Sequence, residues 1–249
     1  MAELTTTYSF SDLYTDVHDY RGSPGDDSSY STAKSRVNDG YRNFLMSHDW
    51  SFLKKTGVIT TEPGKFAYDL PDDFRELLTP FVYPSDHSRP PIEEQSELLI
   101  LDLIQGSGSS TGQPYVCAIR PKLYSEGEGT KWEVIFFYIP SAAYELTYTY
   151  RIGVNELVND DDIPIGGHEH ALTLKAFCFA EVEATDDEKV GPWTQRLYDS
   201  SPLVGLLIKS IKMDAHKAPR SVGIMGGVVE RAVKPFQSLS YNGTRLDNN

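Results

Sequence analysis

Residues 165–184 read IGGHEHALTLKAFCFAEVEA, and the fold turns on how this stretch is taken. His168, Glu169 and His170 stand side by side like metal ligands, yet from Ala171 onward the segment continues as a helix with few polar residues. Paired histidine ligands on a helix need i, i+4 spacing, as in HExxH. Residues two apart on a helix point roughly 200° away from each other. They would share a face only in a strand, and the pattern from Ala171 on is helical. The triplet therefore reads as a helix start, with Glu169 favourably placed against the helix dipole, and neither a metal nor a cofactor is expected. The apolar residues beyond it, among them Leu172, Leu174, Phe177, Cys178, Phe179 and Val182, surround the axis. A helix apolar on most sides must be buried on most sides. Ala176, Ala180 and Ala184 would admit a close neighbour. A chain of this length with a separate sheet unit would struggle to wrap such a helix alone. One solution is therefore that neighbouring copies cover it, with Phe177, Phe179, Ala180 and Ala184 as interface residues. The other is a central helix of a monomeric bundle.

Before this helix the chain changes period twice. SFSDLYTDVHDYRG reads as a short helix with capping-box spacing between Ser9 and Asp12, ended at Gly22. In YSTAKSRVNDGYRNFLMSHDW, Ala33, Val37, Tyr41, Phe44, Leu45 and His48 form one stripe of an amphipathic helix. TGVITTEPGKFAYDLP then places strand residues on both sides of Pro63-Gly64, which fits a type II turn and predicts a hairpin. PPIEEQSELLILDLIQG predicts a helix with prolines before it, acids in its first turn and Gly106 after it. GSGSSTG lacks the Gly-Lys-Ser/Thr ending of a phosphate loop. Three strands come next, PYVCAIRPKLY, KWEVIFFYI and AYELTYTYRI. In the last, Tyr144, Leu146, Tyr148, Tyr150 and Ile152 alternate with polar residues. Residues 52–152 thus predict a mostly antiparallel sheet unit with one inserted helix. After the helix of 167–186, a last helix is expected from about Pro192 to Lys217, kinked or begun at Pro202. From Ala218 no helical or strand period is evident, although Ile224, Met225, Phe236 and Tyr241 are apolar.

Composition narrows the function classes. The chain has 249 residues, and a net charge of −13 argues against sequence-independent binding to a phosphate backbone. Residues 217–249 carry +3, against −16 for the remainder. MAELTTTYSF has neither the basic nor the apolar region of a signal peptide, and VIFFYI and LVGLLI are too short to span a bilayer. Cys117 and Cys178 sit in apolar segments without CxxC spacing and read as buried free thiols. NDDDI and TDDEK read as solvated connectors. No dinucleotide fingerprint or recognisable Cys/His nucleophile pair is present, and no residue is assigned a catalytic role.

The order of segments resembles the head-to-tail adaptor (connector) proteins of tailed phages. It is carried by VNDGYRNFLMSHDWSFLKKTGVITTEPGKFAYDLPDDFRELL, GQPYVCAIRPK, IFFYIPSAAYELTYTYRI, GGHEHALTLKAFCFAEVEA and IKMDAHKAP. The resemblance implies an α+β fold: a helical bundle with an antiparallel β-rich lateral domain and an extended C-terminal arm. Residues 1–51 would be N-terminal bundle helices, 52–163 the β-rich domain, 164–217 the C-terminal bundle helices and 218–249 the arm. It also implies a virion structural protein of the neck, made in the host cytoplasm. Such a protein forms a homo-oligomeric ring, a dodecamer if it matches a twelvefold portal. The ring would bind the portal protein, extend the DNA channel without sequence-specific contact and seat a downstream tail or nozzle protein, with no membrane involved. The arm residues Ile224, Met225, Phe236 and Tyr241 would bind the portal. Two alternatives are another ring component of the virion, such as a head-completion or nozzle protein, and a metal-dependent enzyme centred on His168 and His170.

Overall fold

Ser9 starts the first helix as expected. Its hydroxyl accepts from the Asp12 N–H at 3.2 Å, and the Asp12 carboxylate accepts from the Ser9 N–H at 2.9 Å, a complete capping box for α1 (Phe10–Arg21). In the computed structural model, residues 7–22, 27–84, 89–106, 110–122, 129–186, 190–201, 205–217, 239–241 and 244–246 are described. Helix α2 (Asp27–Met46) buries Ala33, Val37, Tyr41 and Phe44, as its stripe predicts; His48 lies past its end. The polar side of α2 also has work to do. Lys34 pairs with Asp160, Arg42 with Glu156, and the Asn38 amide exchanges two hydrogen bonds with the Leu157 backbone. The acidic connector after the sheets is thus tied along α2 instead of being merely solvated.

A 3-10 turn (Ser51–Leu53) leads into the sheets. Strands β1 (Lys54–Thr60), β2 (Ala67–Asp69), β3 (Phe74–Leu77) and β4 (Glu93–Glu94) precede helix α3 (Glu97–Gly106). Then come β5 (Thr111–Gly112), β6 (Val116–Pro121), β7 (Trp132–Phe137), β8 (Ile139–Pro140) and β9 (Glu145–Ile152). One sheet has the order β1-β9-β3, the other β2-β7-β6-β4, and β5 pairs separately with β8. Phe81, Phe136, Tyr68, Leu146 and Tyr148 fill the space between the two large sheets. Strand β7 is covered on both faces: Val134 and Phe136 meet that core, while Ile135 and Phe137 meet Ile100 of α3. The unit is a small sandwich with a helix on one side.

Two expectations change here. The turn at Glu62–Lys65 forms, with Gly64 at φ +82° and Lys65 N–H donating to the Glu62 carbonyl at 3.2 Å, but it does not close a hairpin. β1 pairs with β9 and β2 with β7, so the turn carries the chain from one sheet to the other. A Pro-Gly turn bends the backbone; it does not choose the partner, and β9 offers β1 seven paired residues. The first turn of α3 does hold an acid, Glu97, but Glu93 and Glu94 lie before the helix. They form β4, parallel to β6, and the helix begins after Ser96, whose hydroxyl accepts from Leu99 N–H.

Helices α4 (Gly167–Thr185), α5 (Pro192–Tyr198) and α6 (Leu206–Lys217) complete a bundle with α1 and α2. The single helix expected over 192–217 is two. Asp199 takes an extended conformation, and its carboxylate accepts the Ser201 N–H at 2.7 Å in place of a helical bond. Pro202 lies outside the described residues. The C-terminal stretch, read as without period, contains a hairpin of β10 (Leu239–Tyr241) and β11 (Thr244–Leu246). The missed signal is Asn242-Gly243 between two short alternating runs, the strongest short-range hairpin signature.

Candidate functional site

The bundle is organised around α4. His170 is buried among the rings of Phe44, Trp50 and Phe52, with centroids 5.0–6.3 Å away, whereas His168 is exposed. The two imidazoles therefore lie in different environments on different sides of the helix. No group of three or more metal-ligating side chains occurs among the described residues. Both cysteines are free and buried, and burial pushes their thiols up to about 12, so neither is a ready nucleophile.

Of the two solutions the sequence left open, the structure shows the chain covering most of α4 by itself. Phe177 is 3% exposed, Phe179 5% and Ala180 8%. Phe177 packs on Phe44 and Tyr198, and Phe179 on Tyr20 and Trp193. Of the four interface candidates only Ala184 is exposed; Leu172, nearer the start of α4, is 42% exposed. Of the arm candidates, Tyr241 falls in β10, while Ile224, Met225 and Phe236 lie outside the described residues.

Three residues that sequence reasoning passed over hold the bundle together. Gly40 of α2 lies against the α4 backbone: a Cβ there would sit 2.6 Å from the Cys178 Cα and 2.8 Å from its nitrogen. The signal was present, since 33, 37, 40 and 44 have the 4-3-4 spacing of a buried stripe. Glu183, also buried, points at the start of α5, where the N-cap is Gly191 and no capping side chain exists. Its carboxylate accepts from Trp193 N–H (3.0 Å), Thr194 N–H (2.8 Å), Thr194 hydroxyl (2.7 Å) and Tyr20 hydroxyl (2.9 Å). Burial alone would raise its pKa, but these donors outweigh it and hold the carboxyl below its ordinary value. A Cβ on Gly191 would collide with this carboxylate, so the capping geometry requires glycine there. Asp214 of α6 accepts from the Ser51 N–H and hydroxyl, pinning α6 to the turn where bundle becomes sheet. Thr173 and Ser210 add a buried hydroxyl contact between α4 and α6 at 2.6 Å. A Glu or Asp on an otherwise apolar helix face must find partners, and that rule would have flagged Glu183.

The buried Glu183, Asp214, Thr173 and Ser210 are thus occupied in joining the helices of the bundle to one another and to the turn before the sheets. No described helix is long and apolar enough to cross a membrane. The features define an α+β protein whose buried carboxylates and hydroxyls serve its architecture. The sequence profile described as SU10 adaptor protein matches residues 8–202, and the chain belongs to this phage head-to-tail adaptor family. No curated protein sequence matches the chain. The matched span covers α1 through α5, including the whole sandwich, and leaves α6 and everything after it outside.

Proposed function

We propose that the protein assembles as a closed ring between portal and tail, extends the DNA channel and offers a platform to the next tail component. The family match across bundle and sandwich is the observation that carries this reading. Membership also places the chain among virion structural proteins and favours a non-enzymatic role. A twelvefold portal implies twelve copies, joined by one heterologous contact repeated around the axis. Because α4 is wrapped within each copy, that contact uses exposed residues such as Ala184 and Leu172, not Phe177, Phe179 or Ala180. The charge of −16 outside residues 217–249 suits a channel wall that repels phosphate and lets DNA slide.

The division into N-terminal bundle helices (1–51), β-rich domain (52–163), C-terminal helices (164–217) and arm (218–249) belongs to the same reading. The arm carries +2 and apolar residues including Ile224, Met225 and Phe236, a composition that can grip an acidic neighbour. Co-sedimentation with portal rings tests it. Full-length protein should sediment with the portal, and protein lacking 219–249 should remain folded and soluble but stay behind. Equal binding by both would refute the arm, and unfolding on truncation would assign residues 219–249 to the core.

A further inference from the structure

Among the described residues, no strand pairs with the outer edge of β1. Its partner β9 lies on one side in continuous antiparallel register, from Lys54↔Arg151 to Thr60↔Glu145. Next in that register, Thr61 N–H donates to the Tyr144 carbonyl at 2.9 Å, which sets the hydrogen-bonding phase. Across β9, Thr147 exchanges both backbone bonds with Val82 (2.9 and 3.0 Å), and Thr147 is the register partner of Val58. Both observations agree: Lys55, Gly57 and Ile59 bond to β9, while the N–H and C=O groups of Thr56, Val58 and Thr60 turn to the outer side. No described strand lies beyond them. The adjoining outer face is β-branched, with Val58 57% and Val82 42% exposed on either side of Thr147. Such an edge is a template for another strand.

The second observation is the hairpin β10–β11. Its strands pair with each other and with no other described strand. A two-stranded hairpin is marginal in water by itself. In the register Leu239↔Leu246, Ser240↔Arg245, Tyr241↔Thr244, the two-residue loop makes the pair next to it the hydrogen-bonded one. The backbone groups of Ser240 and Arg245 therefore face the hairpin's own outer edges. Residues 218–238 join α6 to the hairpin and can span at most roughly 70 Å. Hairpin and β1 belong to one chain, yet the single chain does not put them in one sheet.

We propose that the hairpin of one copy adds to the β1 edge of a neighbouring copy, continuing its β1-β9-β3 sheet across the subunit boundary. The outward N–H and C=O groups of Thr56, Val58 and Thr60 would bond to those around Ser240 or Arg245. A second copy is the fitting occupant because every copy carries both the hairpin and the β1 edge, so around a closed ring each gives one and receives one. The choice of partner rests on the ring reading. On this proposal Tyr241 belongs to a tie within the ring, not to the portal contact.

The test uses full-length protein, assembled alone or on portal rings. Copies carrying Thr60→Cys are mixed with copies carrying Ser240→Cys and treated with a short bismaleimide; the native thiols, both buried, stay out of the reaction. Cross-linked pairs of the two variants are expected. Adding Val58→Pro to the first variant should abolish them without unfolding it, because the Val58 N–H is not used by β9 and proline is tolerated on such an edge. Absence of pairs joining the two variants, cross-links indifferent to Val58→Pro, or capture of the Ser240→Cys hairpin by the portal alone would each overturn the proposal. Ring formation is scored separately by light scattering. Rings that form without the cross-link refute the tie and leave the ring reading intact; absence of rings under every condition refutes both.

Discussion

Replacing Gly40 with alanine should destabilise the protein even though alanine is the better helix former. The substitution gains about 1 kcal/mol of helix propensity. Against this, the new Cβ would lie 2.6 Å from the Cys178 Cα, 2.8 Å from its nitrogen and 3.0 Å from the Phe177 carbonyl carbon. All three are backbone atoms of α4, so no side chain can swing aside. Relief at ordinary contact distances of about 3.5–4.0 Å requires α2 and α4 to part by roughly 1 Å, which loosens Val37, Phe44 and Phe177 together. Overpacking of this kind costs about 1–3 kcal/mol and occasionally more. The net expectation is a loss of about 1 kcal/mol, and up to about 2, lowering the urea midpoint by roughly 0.5–1 M at a typical slope. Gly106→Ala is the control, since a Cβ there meets nothing within 4 Å, and it should be near neutral. Cys178→Ala should not rescue Gly40→Ala, because the clash is with backbone. A Gly40→Ala protein as stable as the parent would refute the account of the α2–α4 contact.

The same bundle sets further outcomes. Glu183→Gln should cost about 1.5–3 kcal/mol at neutral pH, since charge-assisted hydrogen bonds to the α5 start are lost. The folded carboxyl is held below its ordinary value, so its contribution is present above about pH 4.3 and disappears as pH falls through the folded value. Urea melts at several pH values should therefore show a weaker acid dependence in Glu183→Gln than in the parent, and identical profiles would sink the capping role. Phe177→Asp should cost several kcal/mol by burying an unpaired charge, whereas Ala184→Asp, on the exposed side, should leave the melt unchanged and act only on ring formation. Ring assembly untouched by both Ala184→Asp and Leu172→Asp would remove these two positions of α4 from the contact. Dialysed protein is expected to retain no stoichiometric zinc by elemental analysis; zinc retained and lost on His168→Ala would reverse the reading of the two histidines.

Much of the fold was legible because its signals are local. The Ser9–Asp12 box, the α2 stripe and the alternation of β9 each depend on residues close in sequence, and each reappears in the structure. What escaped depends on distant partners. Pro63-Gly64 announces a turn, but only β9 and β7 decide that its two strands belong to different sheets. The all-round apolar character of α4 was plain, yet sequence alone left open who covers it; the answer lies in Tyr20, Phe44, Trp193 and Tyr198, contributed by other helices of the same chain. Asp214 reaches Ser51 across 163 positions, a contact no spacing rule encodes. Surface roles were the least legible, because an exposed Ala184 or the outer edge of β1 has meaning only beside the surface that meets it.

The most direct test of the adaptor assignment is an image of the full-length protein mixed with its portal rings. The account predicts a second ring stacked coaxially on one face of the portal, with twelvefold symmetry and a continuous central channel. Portal rings that remain bare while the adaptor stays monomeric, or adaptor bound off-axis without a closed ring, would contradict it.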